Sequence, residues 1–244
     1  MPTIEFLGRE ADFVNGLPSP TPAAKAIPDW YKKMNSSFFT KEQDPKNIGT
    51  IFLSGGSFLN GMTLKACPPI RDYLCSGYIV PLWNDLLIEN AHDGATGFAW
   101  RDGSLSNIEI HPWDQIQSSI FEADLKKTNQ EMWKLISPWD FKTPAGYSCL
   151  FFSPEYHKSP IKILPAIVDT DKYSHVNFPF TYEGEGVELV EQGTPVVQVL
   201  PFKREEWNHE IKEIGEREHR LARRVKSVFS GMYKKLWHEK KVFR

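Results

Sequence analysis

The residues of this chain best suited to chemistry are seven histidines, three cysteines and 31 carboxylates. His111 lies in IEIHPWDQI, where an imidazole beside a carboxylate would suit a non-haem iron centre completed by His157 or His175. No HxD or HxE precedes a suitably spaced second histidine, so a structural histidine at a strand end, before Pro112, is the competing reading. The run VDTD at 168–171 places two carboxylates two residues apart, and aspartates in such a run bond their own backbone and make a turn. GxxxxGK[ST] and GxGxxG are both absent, which excludes the two common phosphate-cradling loops. HExxH and the GxSxG elbow are absent as well. Cys67, Cys75 and Cys149 are an odd set without CxxC spacing, which points to a reducing compartment and against a disulfide framework or zinc knuckle. No motif names a cofactor.

The elements that would carry these residues read mostly as strands. Ile4–Leu7 is a short strand candidate, followed by LPSPTPAAKAIPDWYKKM, in which Pro18, Pro20, Pro22 and Pro28 preclude a long helix. That stretch reads as an ordered wrapping segment. Thr50–Leu53 and Met62–Ala66 are strand candidates on either side of the turn SGGSFLNG, and Tyr78–Leu82 and Leu86–Glu89 follow. Gly97–Trp100 and Asn107–Ile110 flank RDGS, where Asp-Gly signals a hairpin. Glu122–Lys134 reads as a loop or a short helix. Gly146–Phe152, Ile161–Val168, Val176–Phe180, Val187–Val190 and Val196–Phe202 are short β-branched or aromatic runs separated by Pro, Gly and Asp. Gly193 supplies backbone freedom for a turn ahead of the last run. Strands at this spacing, without βα alternation, predict a mainly β sandwich or barrel. Trp113, Trp133 and Trp139 read as core or loop anchors rather than base-stacking platforms, because stacking surfaces sit in basic grooves and this region is acidic.

Charge separates the C-terminal segment from the rest. Residues 203–244 hold 13 Lys and Arg against 7 Asp and Glu, net +6, while the preceding residues are net −8. Trp207, Ile211, Ile214, Leu221, Val225, Val228 and Met232 fall on an a/d heptad in which Glu218 fills the missing position. Glu213 with Arg217, and Glu216 with Arg220, are favourable i,i+4 pairs. The spacing predicts a basic amphipathic helix from about Glu205 to Trp237, with Gly215 as the chief objection at about 1 kcal/mol. Such a helix would pack on the body or pair with another chain. No apolar run is long enough to cross a membrane, and the N-terminus lacks the basic and apolar regions of a secretory leader.

Two resemblances add to this reading. AIPDWYKKM, LKACPPIRDYLCSGYIVPL, SPWDFKTPAGYSCLFFSPEYH, AIVDTDKYSHVNFPF and VEQGTPVVQVLPFKREEW resemble an uncharacterised domain-of-unknown-function family of marine tailed phages and bacteria, over about Ala23 to Trp207. That resemblance implies a phage or bacterial cytoplasm, or a virion, and no established activity. SGYIVPLWNDLLIE, TPAGYSCLFFSP, AIVDTDKY and VEQGTPVVQVLPF are, in order, similar to the motifs of the dUTPase and dCTP-deaminase superfamily, whose fold is a compact β-barrel, commonly trimeric. The resemblance implies Asp169 or Asp171, with Tyr173, as candidate catalytic residues and Gln198 as a structural or nucleotide-side contact; Tyr147 and Arg204 are further candidate ligand contacts. The pattern departs at two places. No arginine accompanies Ser153, Pro154, Glu155 and Tyr156, where a phosphate-binding segment would fall, and Ile79 stands where a metal-holding aspartate would.

Together these readings predict a mainly β domain of the dUTPase-like, β-clip type over 50–203. A Pro-rich wrapping segment (1–49) precedes it, and a C-terminal helix (204–244) follows. The expected function is a non-enzymatic assembly or binding component of a phage or bacterium, forming a homo-oligomer or joining a phage protein through residues 205–238. The alternatives are a nucleotide-binding or nucleotide-hydrolysing enzyme and a metal-dependent oxygenase using His111, His157 or His175. Nucleic acid is the lesser partner expectation, and a membrane is not expected.

Overall fold

Short β-branched and aromatic runs bury one face of each strand, and that pattern builds the body of this protein. A computed structural model describes residues 1–14, 16–36, 63–90, 96–100, 108–111, 115, 132–184, 186–220 and 232–242. The chain divides into two units, Met1–Ala26 with Gly77–Glu205 and Ile27–Ser76 with Glu206–Arg244.

The first unit is mainly β, and every strand pair in it is antiparallel. Its strands are β1 (Glu5–Leu7), β2 (Thr21–Pro22), β3 (Tyr78–Pro81), β4 (Leu86–Asn90), β5 (Thr96–Trp100), β6 (Ile108–His111) and β7 (Met132–Leu135). They continue as β8 (Asp140–Lys142), β9 (Tyr147–Phe152), β10 (Ile161–Ile163), β11 (Ala166–Val168), β12 (Phe178–Tyr182), β13 (Gly186–Val190) and β14 (Pro195–Lys203). A five-stranded sheet runs β11-β9-β14-β3-β2 and a four-stranded one β10-β12-β7-β6, with smaller sheets β13-β4-β5 and β1-β8. Among the described residues no sheet closes on itself into a barrel. The helix α1 (Glu10–Val14) also belongs to this unit.

β14 organises the large sheet. Its first half pairs with β3 and its second half with β9, and the register shifts between Pro195 and Val197. Gly77, just before β3, sits at φ +70, and a Cβ there would meet the Val199 carbonyl oxygen at 2.0 Å. Only glycine allows β14 to pass that close. The core beneath is aromatic. Phe141, Phe151 and Phe178, from β8, β9 and β12, lie in three different sheets with ring centroids 5.0 to 5.9 Å apart. Phe6 adds an edge contact to Phe141 at 5.8 Å. Trp139 is buried, and Trp133 packs on Phe98 at 4.7 Å, so both are anchors, as expected; Trp113 lies outside the described residues.

The second unit carries α2 (Asp29–Lys33), a 3-10 turn at Leu64–Ala66, α3 (Pro68–Cys75) and α4 (Met232–Leu236). Pro28 and Pro68 precede or open α2 and α3, positions where a missing N–H costs nothing.

Several expectations need correction. Leu64–Ala66 is a 3-10 turn rather than a strand, because the Cys67-Pro68-Pro69 step that starts α3 leaves no room for a ladder. Thr50–Leu53, SGGSFLNG and RDGS lie outside the described residues. The strands flanking RDGS do not form a hairpin with each other: β5 pairs with β4, and β6 with β7. Within Glu122–Lys134, the described end belongs to β7. The run at 161–168 breaks into β10 and β11 at Leu164-Pro165. The long C-terminal helix is absent over residues 205–215, which have no regular structure; residues 216–220 are helical, and α4 is a single short helix. Helicity begins directly after Gly215, whose carbonyl accepts from the His219 N–H at 3.0 Å. A helix draws most of its stability from a buried face, and Trp207 and Ile211 are 86% and 93% exposed, so nothing holds this stretch wound.

The junction of three sheets at Phe141 is the mechanical centre of the first unit. Phe141→Ala is expected to cost about 3–5 kcal/mol, read as a lower midpoint in denaturant unfolding.

Candidate functional site

Three segments meet at the far end of β14. The chain enters β9 through Gly146, at φ +85, a conformation that favours glycine. The run Asp169–Tyr173 leaves β11 and turns, with the Lys172 and Tyr173 N–H groups donating to the Asp169 carbonyl at 2.8 and 2.9 Å. That is the turn that VDTD predicts. Arg204 follows the last residue of β14, and its N–H donates to the Gly146 carbonyl at 2.9 Å.

The side chains close a network over these backbones. The Arg204 guanidinium grips Asp171 with both arms, Nη1 to Oδ1 at 2.9 Å and Nη2 to Oδ2 at 2.5 Å. Nη1 also donates to the Tyr147 carbonyl at 3.0 Å and the Ser148 hydroxyl at 2.9 Å. The Gly146 N–H donates to Asp171 Oδ2 at 2.8 Å. Ser148 in turn donates to Asp169 Oδ1 at 2.6 Å, which lies 3.1 Å from Arg204 Nη1. Beneath the turn, Thr170 is buried, with its hydroxyl 2.7 Å from that of Thr143 and 3.3 Å from the Cys149 sulfur.

Burial and charge set what these groups can do. The Asp171 side chain is 6% exposed, Arg204 32% and Asp169 50%. The Arg204 fork and the Gly146 N–H hold the Asp171 carboxyl down at about 2. The Ser148 hydroxyl and then Arg204 lower Asp169 as well. The hydrogen bond to Asp171 raises Arg204. A general base works best with a pKa near the operating pH. Asp171 is therefore a poor one, since both its oxygens are already engaged. The bidentate geometry is that of a structural ion pair.

The structure brings together Asp169, Asp171 and Arg204 among the predicted site residues, with Tyr147 contributing its backbone carbonyl. Tyr173 is exposed at the turn's end. Gln198 is buried in mid-strand, six residues before Arg204 and so about 20 Å along β14, away from the network. Ile79 is buried in β3 opposite Gln198, and the Ser153 hydroxyl accepts from the Ile163 N–H at 2.7 Å, which commits it to the backbone. Sequence reasoning missed Gly146, Ser148 and the Thr143–Thr170 pair. Ser148 offered one signal, a hydroxyl inside an otherwise apolar strand.

The histidines are dispersed. His111 Nδ1 lies 2.6 Å from Gln115 Oε1, and His175 Nδ1 lies 2.8 Å from Asp140 Oδ1. His157 is half-buried, and burial pushes its pKa down. Among the described residues no group of three or more His, Cys, Asp or Glu side chains is placed to hold a metal ion. All three cysteines are free.

A second network lies in the other unit. Asp72 on α3 accepts from Lys241 and lies 3.2 Å from His238 Nε2, and the Lys241 ammonium lowers its carboxyl. It ties the end of the C-terminal segment to α3. No family model matches the chain, and no curated protein matches it.

The ion pair at Asp171 has a defined pH signature. Its folded pKa of about 2 lies below the ordinary aspartate value of about 3.9. The stabilisation is therefore complete above about pH 4 and is lost as the pH falls through about 2. Asp171→Asn is expected to be less stable than the parent at pH 7, with the gap narrowing towards pH 2, as read by circular dichroism in acid titrations.

Proposed function

We propose that this protein is a non-enzymatic assembly and binding component, of the phage or bacterial setting that its sequence resembles. It associates with further copies of itself or with another protein through residues 205–238. One observation carries the reading. Trp207 and Ile211 are 86% and 93% exposed, with Ile214 also exposed, directly after a well-packed strand. Large apolar side chains grouped on a surface mark interaction sites. Their 4 and 3 spacing is that of a helical seam, yet residues 205–215 are unwound. A segment with a helical pattern and no buried face winds when a partner covers it, so binding and folding are coupled.

The locked Asp171 supports the non-enzymatic half. A nucleotide-hydrolysing relative of the dUTPase barrel would need that carboxylate free to orient water, and here it closes the turn against Arg204. The departures at Ile79 and around Ser153 point the same way.

Light scattering on the full chain is expected to show a mass above that of one chain, with the helical signal at 222 nm deepening as association rises. The doubly substituted Trp207→Asp, Ile211→Asp chain should run as a monomer with less helix. A parent that stays monomeric would remove the self-association reading. Nucleotides with Mg²⁺ should leave the melting temperature unmoved; a rise that disappears in Asp171→Asn would return the nucleotide enzyme to the lead.

A further inference from the structure

The sheet β13-β4-β5 exposes its outer face among the described residues. Leu87 stands opposite Leu189, and Glu89 opposite Val187, all four exposed. The inner partners Leu86, Ile88 and Val190 are buried, so the face is the solvent side of an ordinary half-buried sheet. Three adjacent apolar side chains make a patch rather than scattered exposure. The three strands carry two glutamates and no Lys or Arg, and Asp85, Glu183 and Glu191 flank them. The patch is apolar with an acidic rim.

The C-terminal segment carries the complement. From α4 onward, Tyr233, Leu236, Trp237 and Val242 are exposed. Lys234, Lys235 and Lys240 lie among them and are exposed too. His238 and Lys241 are turned to Asp72, which fixes the segment in its own unit and leaves the basic apolar side outward. Residues 221–244 hold eight Lys and Arg against a single Glu. Among the described residues both surfaces are exposed, and their charges are opposite.

We infer that the counter-surface for this basic end is the acidic outer face of β13-β4-β5 on a second copy of the chain. The inference rests on the proposal that residues 205–238 mediate association, and it names where they land. Apolar contact of Trp237 and Leu236 with Leu87, Val187 and Leu189 supplies attraction. The lysines against Glu89 and Glu191 set register and partner choice. The contact joins two different patches, so it closes as a reciprocal dimer or a ring, or else propagates.

Charge exchange in the full chain tests this. One variant carries Glu89→Lys and Glu191→Lys; the other carries Lys234→Glu and Lys235→Glu. All four positions are exposed, and Glu188 is spared because it accepts a hydrogen bond from Tyr182 at 3.0 Å. Sedimentation at low salt should show each variant self-associating at least about tenfold more weakly than the parent. An equimolar mixture should recover the parent's association, because each basic surface then meets an acidic one. A single chain bearing all four changes should recover it as well. If the Glu89, Glu191 variant associates like the parent, the sheet is not the landing site and the inference falls, while tail-mediated assembly stands. If the two variants do not recover on mixing, the contact is not one between these surfaces. A parent that is monomeric at every concentration overturns the inference and the assembly reading together. Loss of single-stranded oligonucleotide binding in the Lys234, Lys235 variant, with self-association unchanged, would assign the basic end to nucleic acid instead.

Discussion

The Arg204 guanidinium and the Asp171 carboxylate meet edge to edge, with both arms of the fork engaged. Arg204 directly follows β14, Asp171 sits in the turn after β11, and Gly146 and Ser148 lie at the start of β9. Without the pair, a nearly buried carboxylate would lose its charge partner and three strand ends would lose their common tie. The pair also sets a boundary. Among the described residues the strands end at Lys203, and residues 205–215 beyond them have no regular structure and expose Trp207, Ile211 and Ile214.

The clamp depends on the register of the large sheet. β14 bonds β9 from Gln198↔Phe152 to Lys203↔Tyr147, which delivers Arg204 to the Gly146 carbonyl. That register is held by Gly77, where any Cβ would strike Val199, and by the aromatic contacts that join three sheets beneath. β14 is buried on both faces from Val196 to Val199, and a one-residue slip would exchange those faces, putting Gln198 where Val197 and Val199 now pack. The packing of Phe141, Phe151 and Phe178 and the geometry at Arg204 are therefore two ends of one constraint.

The strands were largely legible in the sequence, because β-branched and aromatic residues at short spacing have few other uses. β3, β4, β9, β13 and β14 fall where those runs lie. β8 was not legible, since three residues, Asp-Phe-Lys, carry no pattern. The pairing of β5 and β6 was not legible either: Asp-Gly predicts a hairpin between them, while β5 pairs back onto β4 and β6 pairs onward to β7. Within the site, the aspartates and Arg204 could be singled out one by one, but not as a network. Thirty-three residues separate Asp171 from Arg204, and only sheet pairing brings them together. For the same reason the sequence could single out Asp171 as a catalytic candidate but not show its bidentate pairing with Arg204. The C-terminal heptad was legible as a pattern, but helicity needs burial, and Trp207, Ile211 and Ile214 are exposed.

Association through residues 205–238, as proposed, requires a partner to bury the exposed stripe after Arg204. Hydroxyl-radical footprinting of the full chain, with modification of Trp207 and Ile211 followed by mass spectrometry at rising protein concentration, tests it directly. Labelling of both residues is expected to fall steeply as concentration rises, while that of exposed Tyr173 stays constant. Labelling of Trp207 and Ile211 that stays high at every concentration would contradict it.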